Sequence, residues 1–310
     1  MTSADHAADT ISAPPSAGIA STWMRFWFEP ASPRPLAVTR ILAAGLALLL
    51  LWSYAGDLQT WFGPQGMIPS GTGSAWRPQF GGSLFDLPRT SGGLSAVFAA
   101  TAVTFALLLI GLGTPVVSVA AAILWASLLH RGPMLAGPAD DCLAVMLWCL
   151  AIGPSSAALS ADRLIGNLAG RAAAGPSVRA RIALGLMQVH AAVIAGAAVL
   201  AQLKGDVWWD GTAAWWLAAR PGSWLATAAG ILSRSDYALN AVTHAITGFE
   251  VAFAVGLWFV PTRTVVARLG LVAWPLIGGL VGEPFWGLAM AIFCVPLVRE
   301  HREPARALEA

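Results

Sequence analysis

The sequence is short of charge. Asp, Glu, Lys and Arg make up 11% of its 310 residues, less than half of the ~25% that a water-soluble domain carries. So few charges cannot clothe a globule of this size, and hydrocarbon must replace water around much of it. An excess of either sign is also missing. Eighteen Lys and Arg against sixteen Asp and Glu leave a net +2, with no basic block, which excludes nucleic acid as a partner. Lysine is nearly absent: Lys204 stands alone beside seventeen arginines, a bias that with abundant Ala, Gly and Pro points to a GC-rich bacterial genome. Cysteine is scarce. Cys142, Cys149 and Cys294 form no CxxC pair and no Cys/His cluster at zinc-finger spacing, so no metal centre is expected. Cys142 and Cys149 stand two helical turns apart, out of disulfide reach on one helix, and read as buried thiols.

What abounds is apolar: 57% of residues are hydrophobic and the mean hydropathy is +0.67. The predicted fold class is all-α, a polytopic transmembrane helical bundle of seven to eight spans with no substantial soluble domain. Leu36–Tyr54 opens it, covering ~28 Å at ~1.5 Å per residue against a hydrocarbon core of ~30 Å. Leu94–Leu112 and Val116–Leu129 follow, then Cys142–Leu159, which Gly153-Pro154 should break or kink, then Ile182–Leu203 and Leu239–Val260. Leu269–Val281 and Phe285–Val298, each short with an internal proline, close the chain as a tilted pair or one re-entrant hairpin. Residues 1–22 read as a disordered tail without the apolar run of a signal peptide, 23–300 as the membrane domain and 301–310 as a short cytoplasmic tail. Within the membrane domain, Trp23–Phe28 suits the bilayer interface.

Eight spans with an inner N-terminus put twelve basic residues in inner segments and six in outer ones. That obeys the positive-inside rule and predicts a bacterial inner-membrane protein with both termini cytoplasmic. The two longest connections, Ala55–Gly93 and Gly205–Ala238, then lie outside, and function is expected near that face.

Ionisable residues in or beside the spans are the informative ones, because a charge at mid-bilayer costs at least ~2.5 kcal/mol and needs a partner or water. Arg40, about a turn inside the first span, either snorkels to the inner headgroups or pairs within the bundle. Glu250 sits near the middle of the sixth span with no basic residue within two turns; it is protonated, partnered by another helix or wetted. Asn240 and His244 are four apart and share a face, while Glu250 lies about 240° round from His244. His190 reads as a hydrogen-bonded packing residue. His130 and Arg131 end the third span and Asp140 and Asp141 open the fourth, as helix-capping acids or as a polar cluster at the bundle mouth. Trp208, Trp209, Trp215 and Trp216 form an interfacial belt, and Lys204 beside it either snorkels or serves as a base of lowered pKa. The candidate catalytic groups are therefore Lys204 and His130 as bases, with Asp141 and Glu250 as acids or orienting groups.

Five pieces occur in order over roughly residues 30–260: PLAVTRILAAGLALLLLW with Arg40, GPQGMIPS with Gly66 and Pro69, LHRGPMLAGPADDCL, LSADR, and LKGDVWWDGTAAWW with Trp208 and Gly211. Together they resemble the HTTM (horizontally transferred transmembrane) family, distant relatives of the vitamin K-dependent γ-glutamyl carboxylase. The resemblance implies a helical bundle with polar groups gathered towards the outer face. In the carboxylase, a lysine upstream of a W-x-x-G motif is the base that starts quinone-driven oxygen chemistry. Here that motif is Trp208 to Gly211, and the lysine-bearing positions fall on Gln202 and Leu203. Lys204 comes one or two residues late, ~100–200° round a helix. No cofactor is evident, and a quinone is implied by the resemblance alone. The expectation is an accessory or maturation factor acting on a protein or peptide client at the outer face of the bilayer. The alternatives are a membrane enzyme acting on a quinone, lipid or peptide, and a transporter with broken helices at Gly153-Pro154 and Pro296.

Overall fold

A computed structural model describes residues 18–76, 82–220, 227, 230–231 and 233–299. Within them lie fourteen α-helices and no strand: α1 (Ile19–Phe28), α2 (Arg34–Ala55), α3 (Leu58–Phe62), α4 (Thr72–Trp76), α5 (Ser91–Ile110), α6 (Thr114–Arg131), α7 (Pro138–Ile152), α8 (Ala161–Leu168), α9 (Val178–Gln202), α10 (Asp206–Trp209), α11 (Ala213–Ala218), α12 (Asp236–Gly256), α13 (Val260–Val281) and α14 (Pro284–Arg299). A 3₁₀ turn spans Leu84–Asp86. Most of the expected tail (1–17), all of 301–310, and Arg77, Arg302 and Arg306 from the charge count lie outside the described residues.

The sequence marks many helix starts. Thr90, Ser160, Ser177 and Ser235 each accept a backbone N–H two or three residues into the helix that follows. Pro35, Pro115 and Pro138 occupy first turns, where the missing N–H would have no partner anyway. Six helices, α2, α5, α6, α9, α12 and α13, have the length and hydropathy of membrane spans, with 18 to 25 residues each. They are apolar around most of their circumference and turn large side chains outward, among them Trp52 (82% exposed), Val116 (75%) and Leu200 (64%). Against water such surface costs ~25 cal/mol per Å², and against lipid it costs almost nothing. These properties suggest a multi-pass membrane protein.

Three expectations change. The helix at the N-terminal edge begins at Ile19, so residues 19–22 of the expected tail are helical. Trp27 lies against Gly185 of α9, and Phe26 meets Trp258 at 6.0 Å, contacts that hold α1 on the bundle. Second, the fourth segment is shorter than expected: of the break or kink expected at Gly153-Pro154, the structure shows the break. Helix α7 starts earlier than expected, at Pro138, and stops at Ile152, where Gly153 turns to extended geometry (ψ 156°). Third, Pro275 does not shorten the seventh helix, because α13 runs through it for 22 residues. Neighbouring helices can absorb the backbone fault a proline makes. Helices α13 and α14 form an antiparallel pair joined at Gly282-Glu283, and a Cβ on Gly278 would stand 2.7 Å from the Gly287 Cα. Two glycines let these backbones touch.

The two short apolar helices sit centrally. Helix α7 packs on α2, α6, α9 and α14, and α14 packs on α2, α7, α9 and α13. Leu143, Met146, Leu147 and Leu150 of α7, with Met290, Phe293 and Cys294 of α14, are wholly buried. All three cysteines are buried free thiols, as their spacing suggests. Short links make successive long helices antiparallel. One end of the bundle gathers Arg34, Arg40, Arg179, Arg181 and Arg263, and the other carries the long connections with α3, α4, α10 and α11.

Candidate functional site

Glu250 is 1% exposed, on the face of α12 that meets the last turn of α9. Its Oε2 accepts a 2.5 Å hydrogen bond from Gln202 Nε2, and Gln202 Oε1 accepts from Thr247 Oγ1 at 2.8 Å. Of the outcomes left open for Glu250, it meets a partner on another helix, and that partner is an amide. The same stripe continues up α12. Thr243 donates to the Gly211 carbonyl (2.8 Å) and accepts from Ala214 N (3.1 Å), while Asn240 Nδ2 donates to the Asp210 carbonyl (3.3 Å). Asn240, Thr243, Thr247 and Glu250 recur at steps of three, four and three, one face of a helix. Pairing Asn240 with His244 missed that face, for His244 is exposed. The signal was present in the threonines.

The W-x-x-G segment is hung from this stripe. Trp208 is half-buried beside Gly205, and Gly211 has φ +79° with the Asn240 amide where a Cβ would stand. Only glycine meets both demands. Lys204 is exposed. The residue that looks into the bundle at this level is Gln202, so the one-to-two-residue offset carries the lysine away from the interior.

At the same end Arg131 is 1% exposed. It donates to the Phe62 carbonyl (3.0 Å) and the Pro69 carbonyl (2.7 Å), stacks 5.5 Å over the Phe62 ring, and brings Nε to 3.3 Å from Asp86. Asp86 in turn accepts the Gly71 N–H, and Gly66 N donates to Gly63 within the same loop. This set ties the 56–87 connection to the end of α6. His130, one residue earlier, is half-buried, with α4 close above its carbonyl at Gly73. The adjacent acids divide. Asp140 is buried, its Oδ2 accepts Gly137 N (2.8 Å) at the start of α7, and its carbonyl receives Trp125 Nε1 (3.1 Å). Asp141 is exposed. Tyr54 and Glu283 stand near Asp140.

The basic end is built from backbone bonds. Arg40 is fully buried and does not snorkel. It donates to the Ser155 (3.0 Å) and Leu159 (2.5 Å) carbonyls, left over where α7 breaks. In the LSADR segment, Asp162 accepts Gly113 N (2.7 Å) and Thr114 N (2.8 Å) at the start of α6. Partial burial pushes this carboxyl up, but those N–H bonds and the Arg40 charge outweigh it and hold it below the usual carboxylate range. His190 bonds the Leu186 carbonyl of its own helix at 2.7 Å, the packing role expected of it.

The structure thus brings Glu250 to Gln202 and Thr247 and leaves Lys204 and Asp141 on the surface of other elements. Among the described residues no three His, Cys, Asp or Glu side chains gather as a metal site. No family model, curated protein or solved structure matches the chain, so the HTTM likeness rests on its motifs.

Proposed function

We propose that the chain is an inner-membrane protein of the HTTM type, with eight passes and both termini cytoplasmic, that serves as an accessory or maturation factor for a protein or peptide client at its outer face. Eight passes include α7 and α14, which rise ~22–24 Å at ~1.5 Å per residue. Surrounded by longer helices, they need not match the lipid.

The observation that carries this reading is the folded cap at the loop end. Its connections hang from the buried Arg131 and Thr243 and from Asn240. They also present Met67 (70% exposed), Trp76 (63%) and Trp209 (66%) outward. Anchored backbone with apolar side chains turned out is the form of a docking surface. The exposure of Lys204, away from Glu250, supports a client-handling role over base catalysis. The experiment is comparative mass spectrometry of envelope proteins with and without the chain. A restricted set of exported proteins should fall in level or processing, be restored by the Lys204→Ala variant, and not be restored by the double variant Trp76→Ala, Trp209→Ala. An unchanged envelope, with turnover of a lipid or quinone by purified chain, would contradict it.

One observation favours a second reading, an enzyme acting on a quinone, lipid or peptide: the Glu250–Gln202 pair lies in apolar surroundings where an acid could orient a polar headgroup. Quinone recovered with the purified wild type should then fall several-fold in Glu250→Leu. Equal recovery would remove the support.

A further inference from the structure

A cavity lies at the opposite end from the cap. It measures about 1010 Å³ and opens among α1, the start of α2, α9, α13 and the end of α14. Among the described residues, five arginines line it, Arg25, Arg34, Arg181, Arg263 and Arg268, together with one acid, Glu29. Its remaining walls are apolar, with Phe26, Leu184, Trp258 and Val298 prominent. Arg181 and Arg263 approach closely enough for their like charges to repel, and Arg263 is only 7% exposed. Glu29 offsets part of the Arg181 charge.

Two features say what kind of anion belongs here. Arg181 Nε donates to the Phe26 carbonyl (2.7 Å) and Arg263 Nε to the Leu257 carbonyl (3.1 Å), so both cations are held in fixed positions facing the same space. A pre-oriented set of guanidiniums suits the several oxygens of a phosphate. Helix α1, which roofs the cavity, turns Trp23 (59% exposed), Met24 (55%) and Phe28 (47%) outward beside Arg25. That mixture of aromatic, apolar and basic residues suits a helix at the level of lipid headgroups. A soluble phosphate has no use for the apolar wall and the interfacial roof, whereas a phospholipid uses both.

We propose that this cavity binds the phosphate headgroup of an anionic phospholipid, with the acyl chains leaving along the apolar wall. The proposal rests on the membrane reading of the fold and not on the client role at the other face. It accounts for the density of arginine at one end by a specific ligand as well as by topology. Bound lipid would also staple α1, α9 and α13 together, since Arg25, Arg181 and Arg263 come from those three helices.

The test uses the full chain in a neutral detergent, with its unfolding temperature followed during titration by phosphatidylglycerol, phosphatidylcholine or inorganic phosphate. Arg25 and Arg268 are exposed at the rim and suit substitution without loss of the fold. Phosphatidylglycerol should raise the midpoint of the wild type, and phosphatidylcholine and inorganic phosphate should not. The double variant Arg25→Gln, Arg268→Gln should bind roughly 30-fold more weakly, about one factor of five or six for each arginine. Arg89→Gln, which removes a charge at the loop end, should respond as wild type. Equal responses to the two lipids, or an unaffected double variant, would overturn the site. A response to inorganic phosphate equal to that of phosphatidylglycerol would overturn the lipid as its source. Because micelles have no sidedness, an error in the assigned orientation leaves this result untouched.

Discussion

At the scale of single residues, several arginines bond to backbone. Arg40, Arg131, Arg163, Arg179, Arg181 and Arg263 all donate to main-chain carbonyls. Helix ends inside a bundle leave carbonyls without partners, and the planar five-donor fork can serve two at once. A lysine cannot span such a pair. Arg40→Lys should therefore lower stability by about 1–3 kcal/mol, read as unfolding temperature in detergent, because one buried carbonyl loses its donor. Asp162 gives a prediction in acid. Its folded carboxyl titrates below its ordinary 3.8, so its contribution is complete above that value and is lost as pH falls through the folded value. Asp162→Asn should start from a lower unfolding temperature at neutral pH and lose less of it in acid than the wild type does. Parallel curves would contradict the assignment. The sequence marked Arg40 and Glu250 as charges needing a partner or water, and left snorkelling open for Arg40, which the structure replaces with backbone partners. It could not name Gln202, Ser155 or Leu159 as those partners, since they lie 48 to 119 residues away. Nor could composition tell buried Asp140 from exposed Asp141; helix phase at the first turn of α7 decides that.

At the scale of elements, long apolar runs made the spans legible to within a few residues at most ends. The errors fall at proline and glycine, whose effect depends on what surrounds them. At Gly153-Pro154 the helix α7 ends, with Arg179 donating to the Ile152 carbonyl and Arg40 to carbonyls of the loop beyond, while Pro275 is carried inside α13. Gly278 and Gly287, which no sequence pattern marks, prove to be the contact that sets the α13–α14 spacing. Gly278→Leu should force the two backbones apart and cost roughly 1–3 kcal/mol or more, the usual penalty of overpacking. Size-exclusion profiles and unfolding temperature would register it, whereas Gly248→Leu, at a glycine with nothing within 4 Å of an added Cβ, should leave both nearly unchanged.

At the scale of the whole molecule, the two ends differ in what they present. One end gathers arginines around a cavity and the other carries a folded aromatic cap. Low charge and high hydropathy were enough to expect a bilayer, because those are bulk properties of the chain. The cavity was hidden, since its arginines are scattered from position 25 to position 268. The central claim is that the basic end faces the cytoplasm and the cap faces out. All three native cysteines are buried, so single introduced ones can be read cleanly with a membrane-impermeant maleimide. Arg171 and Asp210 are exposed and belong to opposite ends. In cells with a permeabilised outer membrane, Asp210→Cys should label at once, and Arg171→Cys only after the inner membrane is broken. Labelling in the reverse order, or of both without lysis, would contradict the account.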